Sequence, residues 1–389
     1  MDASWSPSAA AAARGQGPPP PIVRPEHHSP PAGHNADLVG NGGYGAIFRP
    51  AFKNTDFDES EGVRDAWITK IYFNPTKYAK AVANIPKIRE LGFNYNVHPY
   101  KQPLRISKNI RLDLHAKLYP AMKGPDINTI YGVRMPYKGE SIDEHIQNNY
   151  FDDIRKLPIY IIVGQLCKLL RQLQSLLDNG YIHGDIRCTN VLLNDDTGIF
   201  TIIDFDWFYP ISDFVNKYKD YFGYYNNPPE TLLANRSTIQ KKQYIVDFAK
   251  FFFNSRSLQD LDSINTENKT IDASGIGAKT LHTFDSFGLA WTFLRLFYHA
   301  YPGSLDNNIG TVKTALAHQR HTDIYAAAVM EVVQRILLPL SDFRVATRRT
   351  VEDVYPIAIE ILGKLRPVFL EGGRRTLKRS RRIRTTRKY

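Results

Sequence analysis

The sequence predicts an α+β fold of two unequal lobes, a small β-rich N-terminal lobe and a larger, mainly helical C-terminal lobe. Three observations carry this. Strand-like apolar runs stand at 46–52 and 66–73. Apolar residues then recur at three- and four-residue steps over 157–177, the period of an amphipathic helix. Finally, segment 287–298 (FGLAWTFLRLFY) is apolar nearly all round, which marks a helix buried at the centre of its lobe.

Taken in order, residues 1–36 mix Pro, Ala, Gly and Ser without apolar periodicity and read as a disordered arm. His27 and His28 in it are read as solvated rather than as metal ligands. The small lobe spans 37–137, its two strands separated by the acidic stretch containing Asp56, Asp58, Glu59 and Glu61. The large lobe spans 138–370. Its first long helix, with Ile159, Ile162, Leu166, Leu169, Leu173 and Leu176 on one face, stops at Asn179-Gly180. Two short strands at 191–193 and 200–205 follow, joined by the Asn194-Asp195-Asp196-Thr197-Gly198 turn. A polar insertion at about 254–281 precedes the buried helix. Residues 371–389 form a basic tail.

The chain has 389 residues and a formal net charge of +11. Nine of its Lys and Arg residues lie within 374–389, which contain no acid, so the body is nearly neutral. A tail of this kind is expected to engage a polyanion such as nucleic acid, or an import receptor, through 374–388. Two cysteines, Cys167 and Cys188, have neither metal-ligand spacing nor a disulfide framework, which suits a reducing compartment. No apolar run approaches the roughly 20 residues that cross a bilayer. The expectation is a soluble intracellular protein, of cytoplasm or nucleus, without a membrane partner.

Two features carry chemistry before any likeness is considered. Gly40, Gly42 and Gly45 form Gly-x-Gly-x-x-Gly, but Ile47-Phe48 continues as strand, so the glycines sit in a hairpin and do not open a helix. Backbone amides in such a hairpin can approach phosphates without side-chain obstruction. The second feature is Tyr181-Ile182-His183-Gly184-Asp185-Ile186-Arg187-Cys188-Thr189-Asn190, followed by Ile202-Ile203-Asp204-Phe205-Asp206. An Asp, an Asn five residues later and a further Asp at a strand end supply hard oxygen ligands and a proton acceptor.

These motifs resemble the protein kinase superfamily over roughly residues 37–365, in a style similar to kinases of large DNA viruses. His183-Gly184-Asp185 stands where that family carries His-Arg-Asp, and Asp204-Phe205-Asp206 where it carries Asp-Phe-Gly. The resemblance implies ATP and Mg2+ (or Mn2+) as cofactors. It makes Asp185 the residue that accepts the substrate hydroxyl proton and Asn190 and Asp204 the metal ligands. Arg187 stands in the place of a catalytic-loop lysine. Lys70, within Ala66-Trp67-Ile68-Thr69-Lys70-Ile71-Tyr72-Phe73, would meet the nucleotide phosphates and a helix glutamate. Glu90 is the only acidic residue between Lys70 and Asp113 and so the only candidate for that partner. Met135 and Tyr137, in Met135-Pro136-Tyr137-Lys138-Gly139, would form the adenine-gripping hinge. Pro228-Pro229-Glu230 would close the activation segment and pair with the Asp342-Phe343-Arg344 region.

There are departures too. Gly184 removes the arginine that binds a phosphorylated activation loop, Asp206 adds an acid beside the metal, and Thr283 stands where the family's Asp-x-x-Ser-x-Gly begins, with Asp285 two residues on. The expected activity is transfer of the γ-phosphate of ATP to a protein Ser or Thr. A small-molecule phosphotransferase of the aminoglycoside or choline kinase type, and a pseudokinase scaffold, are the alternatives.

Overall fold

The computed structural model describes residues 37–42, 45–52, 66–72, 74–101, 104, 131–217, 228 and 278–385. The N-terminal arm, the acidic stretch at 56–61, Pro229, Glu230 and the insertion as far as 277 lie outside them. The architecture is α+β, as the order of patterns predicts: a small antiparallel sheet, then a helical C-terminal part.

Five strands build the sheet in the order β1-β2-β3-β5-β4, every pair antiparallel. They are β1 (Asp37–Gly42), β2 (Gly45–Arg49), β3 (Trp67–Tyr72), β4 (His98–Pro99) and β5 (Tyr131–Pro136). The predicted run to residue 52 stops at Arg49 because Pro50 has no N–H to give to a ladder. Gly45 is required by packing: a Cβ there would lie 2.0 Å from the Ile71 carbonyl oxygen, so only glycine lets β2 pair this closely with β3. Helix α1 (Pro75–Glu90) crosses next to the sheet. Asn74 caps it, its Oδ1 accepting from Thr76 N at 2.8 Å and Lys77 N at 3.3 Å, and Pro75 suits the first turn, where no N–H is needed.

After β5 the chain forms β6 (Glu140–Ser141), α2 (Ile142–Gln147), α3 (Phe151–Lys156) and the long α4 (Ile159–Asp178). Ser141 and Glu144 make a reciprocal capping box at the start of α2. The apolar face predicted for α4 is the buried one, with Ile162, Leu166, Leu169, Leu173 and Leu176 in the main core. Strands β7 (Tyr181–Ile182), β8 (Val191–Asn194) and β9 (Ile199–Ile202) follow. β8 and β9 form the expected hairpin, joined to β6, and β7 pairs with β10 (Tyr209–Pro210). The second strand ends at Ile202, short of the predicted 205. Asp204 is left-handed (φ 63°, ψ 65°) and residues 205–207 coil into a 3-10 turn, which no ladder accommodates.

Helices α5 (Ile211–Lys217), α6 (Ala278–Ala300), α7 (Ile309–Ala315), α8 (Thr322–Val332) and α9 (Val351–Thr385) complete the chain. In α6, Phe287, Leu289, Ala290, Phe293, Leu294, Leu296 and Phe297 are fully buried, which is why its sequence shows no polar face. It also begins earlier than expected. Residues 278–281, assigned by composition to the polar insertion, are helical, and Thr280 is buried despite its polarity. Helix α9 packs along α4 and continues through Thr385, so the backbone of the basic residues Arg374 to Arg384 is helical; their side chains, and residues 386–389, lie outside the described residues. Among the described residues no helix is long and apolar enough to cross a membrane.

Candidate active site

The loop between β7 and β8 is hung from α6. Backbone N–H groups of His183 and Gly184 donate to the Asp285 carboxylate, at 2.6 and 2.9 Å. Burial pushes that carboxyl up to about 6, against the pull of the two N–H donors. Asp285 therefore anchors the loop. The position two residues earlier does something else: Thr283 bonds back to the Lys279 carbonyl at 2.9 Å and accepts from buried Arg348 at 3.2 Å. Gly184 has φ +79°, and a Cβ on it would stand 3.0 Å from both the Phe214 ring and the Trp207 carbonyl oxygen. An arginine would fit neither the backbone nor the space.

His183 is a structural member of this loop. Its Nε2 donates to the Ile203 carbonyl at 3.0 Å, which leaves Nδ1 to accept the Asp185 N–H at 3.3 Å. The ring packs edge-on against Phe205 with centroids 4.6 Å apart. Burial lowers its pKa to about 4, so it is neutral at pH 7.

Asp185 and Asn190 form one unit. Asn190 Nδ2 donates to the Asp185 backbone oxygen at 2.8 Å and to its carboxylate Oδ2 at 2.9 Å. With the amide nitrogen so committed, its Oδ1 is left as the acceptor, taking a long bond from Thr189 Oγ1 at 3.3 Å. The other Asp185 oxygen, Oδ1, is buried without a hydrogen-bond donor, although Arg187 Nε stands 3.5 Å away. Burial pushes the Asp185 carboxyl up to about 7, opposed by Arg187. Ile203 N–H donates to the Asn190 carbonyl at 2.9 Å, which sets Asp204 beside this unit.

Asp204 meets the small sheet. Lys70 Nζ donates to Asp204 Oδ1 at 2.7 Å and to Asp206 Oδ2 at 2.9 Å. Two residues along β3, and hence on the same face, Tyr72 Oη donates to Asp206 Oδ1 at 3.3 Å. Lys80 of α1 reaches the Asp206 backbone oxygen at 3.3 Å. Burial favours a neutral Lys70, yet Asp204, Tyr72 and Asp206 together hold its pKa well above the usual lysine range. Burial raises both carboxyls; for Asp204 the Lys70 charge and hydrogen bond outweigh it and the pKa falls, whereas for Asp206 burial prevails and the pKa rises.

Of the expected residues, Lys70, Asp185, Arg187, Asn190 and Asp204 converge. Glu90 does not: it is exposed and pairs with Lys87, three residues back on its own helix, at 3.0 Å. Lys80 is the α1 residue that lies at Asp206, and Glu90, ten residues on, is about 15 Å further along the axis. Asp206 holds the lysine in its place. The signal was present, because Gly92 ends the helix and so puts Glu90 in its last turn, away from β3.

At the expected hinge, Met135 lies opposite Ile68 in the β3–β5 ladder and Tyr137 N–H donates to the Ala66 carbonyl at 2.9 Å, while Arg49 lies over the Tyr137 ring. Gly40 and Gly42 pair with Ile47 and Gly45 across the β1–β2 hairpin. Arg348 is almost wholly buried and donates to the Asp342 carbonyl oxygen, whereas Arg344 N–H bonds the Asp342 side chain. Glu230, the expected partner of the Asp342-Phe343-Arg344 region, lies outside the described residues. No protein-family model matches the chain, and no curated protein matches it.

Proposed function

We propose that the protein is a two-lobed, kinase-like phosphotransferase that moves the γ-phosphoryl group of ATP to a hydroxyl of a protein substrate, Ser or Thr. The observation that carries this reading is the Asp185–Asn190 unit. The Asn190 amide nitrogen is bonded to both the backbone and the side chain of Asp185, which leaves its oxygen as the acceptor of the unit, while Ile203 ties Asp204 alongside.

The residues fit Mg2+. Among the described residues no group of three or more His, Cys, Asp or Glu could hold a metal unaided. A magnesium ion sharing its sphere with phosphates asks for less, one carboxylate and one amide oxygen, as Asp204 and Asn190 offer. When bound, Mg2+ would offset charge developing on the phosphoryl group. Lys70 would bind the phosphates with the N–H that its two carboxylate partners leave over. Asp185, whose Oδ1 has no hydrogen-bond donor and whose pKa is raised to about 7, would orient the acceptor hydroxyl and take its proton. Arg187 would add a cation beside it.

Incubation with γ-labelled ATP, Mg2+ and either a mixed protein substrate or small hydroxylated metabolites tests the reading. Labelled protein is expected with wild type and about 100-fold less or none with Asp185→Asn, since a positioned base contributes on the order of 10²–10⁴. Labelling of metabolites alone would move the protein to the small-molecule class. Equal labelling by the variant would refute the assignment.

A further inference from the structure

We infer that Asp206 is the positioning residue for Lys70, doing from the metal-side loop what a glutamate on α1 would otherwise do. The inference rests on the phosphotransferase reading and deepens it. Four observations carry it. Lys70 Nζ bonds Asp206 at 2.9 Å as well as Asp204 at 2.7 Å. Tyr72, on the same face of β3, holds the other Asp206 oxygen at 3.3 Å, fixing the carboxylate as a fork between two β3 side chains. Lys80 of α1 reaches the Asp206 backbone carbonyl, and its ammonium also lies over the Tyr209 ring. Glu90, the only acid in α1, faces solvent.

The arrangement has a functional consequence. Asp204 cannot serve both Lys70 and a metal ion with equal freedom. Were Asp204 to ligate a metal, Asp206 would remain as the lysine's partner and would keep Lys70 in place for the phosphates. Because Asp206 is in the loop that carries Asp204, the lysine and the metal ligand are set together, without requiring α1 to swing inward. Positioning by Asp206 thus replaces positioning by helix movement.

The test is a double-mutant cycle read by two measurements on the full chain: affinity for a fluorescent ATP analogue with Mg2+, and urea unfolding without nucleotide. Glu90→Gln is expected to bind within about twofold of wild type, as befits an exposed pair. Asp206→Asn is expected to bind about tenfold or more weakly, since it leaves a buried ammonium with one partner fewer. The Lys70→Met/Asp206→Asn double variant should bind no worse than Lys70→Met alone, because Asp206 acts through Lys70; a merely structural aspartate would give additive losses. Should Asp206→Asn fail to fold, Asp206→Ser serves with the same expectation. Wild-type affinity in the Asp206 variant, a tenfold loss in Glu90→Gln, or additivity in the cycle would overturn the inference. A wild-type protein that binds no nucleotide, while unfolding still shows Lys70–Asp206 coupling, would instead refute the phosphotransferase reading and reduce the ion pair to a structural one.

Discussion

Gly184 and His183 show how single residues set this loop. The left-handed backbone of Gly184 strains any side chain there, and a Cβ would crowd Trp207 and Phe214. Gly184→Ala is therefore expected to cost about 1–3 kcal/mol of stability in a urea titration, the scale of a forced left-handed residue with a crowded Cβ. His183 gives a pH signature. Its folded pKa of about 4 lies below the ordinary 6.5, so its contribution is fully present above pH 6.5 and is lost as pH falls through 4. His183→Gln keeps a donor for the Ile203 carbonyl but does not titrate. Wild type should accordingly lose up to about 3 kcal/mol of stability relative to the variant between pH 6.5 and 4, at 1.36 kcal/mol per pKa unit. Asp185 and Asp285, present in both proteins, cancel from the difference. A pH-independent gap between the two proteins would show that His183 is not buried neutral.

Elements were legible in the sequence wherever one periodicity dominated. The three- and four-residue recurrence of α4 and the apolar run around Lys70 in β3 place both elements to within two residues. Legibility ended where local geometry overrode pattern. β9 stops three residues early because Asp204 turns left-handed, a property no hydrophobic period encodes. α6 is apolar on every side, so its sequence carries no phase, and nothing in it shows that Asp285 rather than residue 283 faces the loop. Conversely, the Asn74-Pro75 start and Gly92 stop of α1 were readable, and they suffice to remove Glu90 from the site. The cap is testable by itself. Asn74→Ala should cost about 1 kcal/mol, measured by thermal or urea unfolding, because it frees the N–H groups of Thr76 and Lys77. No change in stability would mean that α1 is held by its packing alone.

At the scale of the whole molecule, one of the contacts between the small sheet and the helical part brings Lys70 and Tyr72 from β3 and Lys80 from α1 onto the segment Asp204–Asp206 that follows the hairpin of the larger part. The catalytic candidates of the larger part were read directly from spacing, since Asp185, Asn190 and Asp204 lie within one short stretch of chain. Their connection to the sheet was not. It depends on a contact across 136 positions between Lys70 and Asp206, and local sequence cannot specify a contact of that range. The central claim is that these groups assemble a nucleotide-metal site. The most direct measurement is the affinity for ATP by titration calorimetry, with Mg2+ and with a chelator, for wild type and Asp204→Asn. Wild type should bind ATP about tenfold or more tightly with Mg2+ than without, and Asp204→Asn should lose most of that difference, as expected when one protein carboxylate completes the ion's sphere. ATP affinity indifferent to Mg2+, or an Mg2+ dependence unchanged in Asp204→Asn, would contradict it.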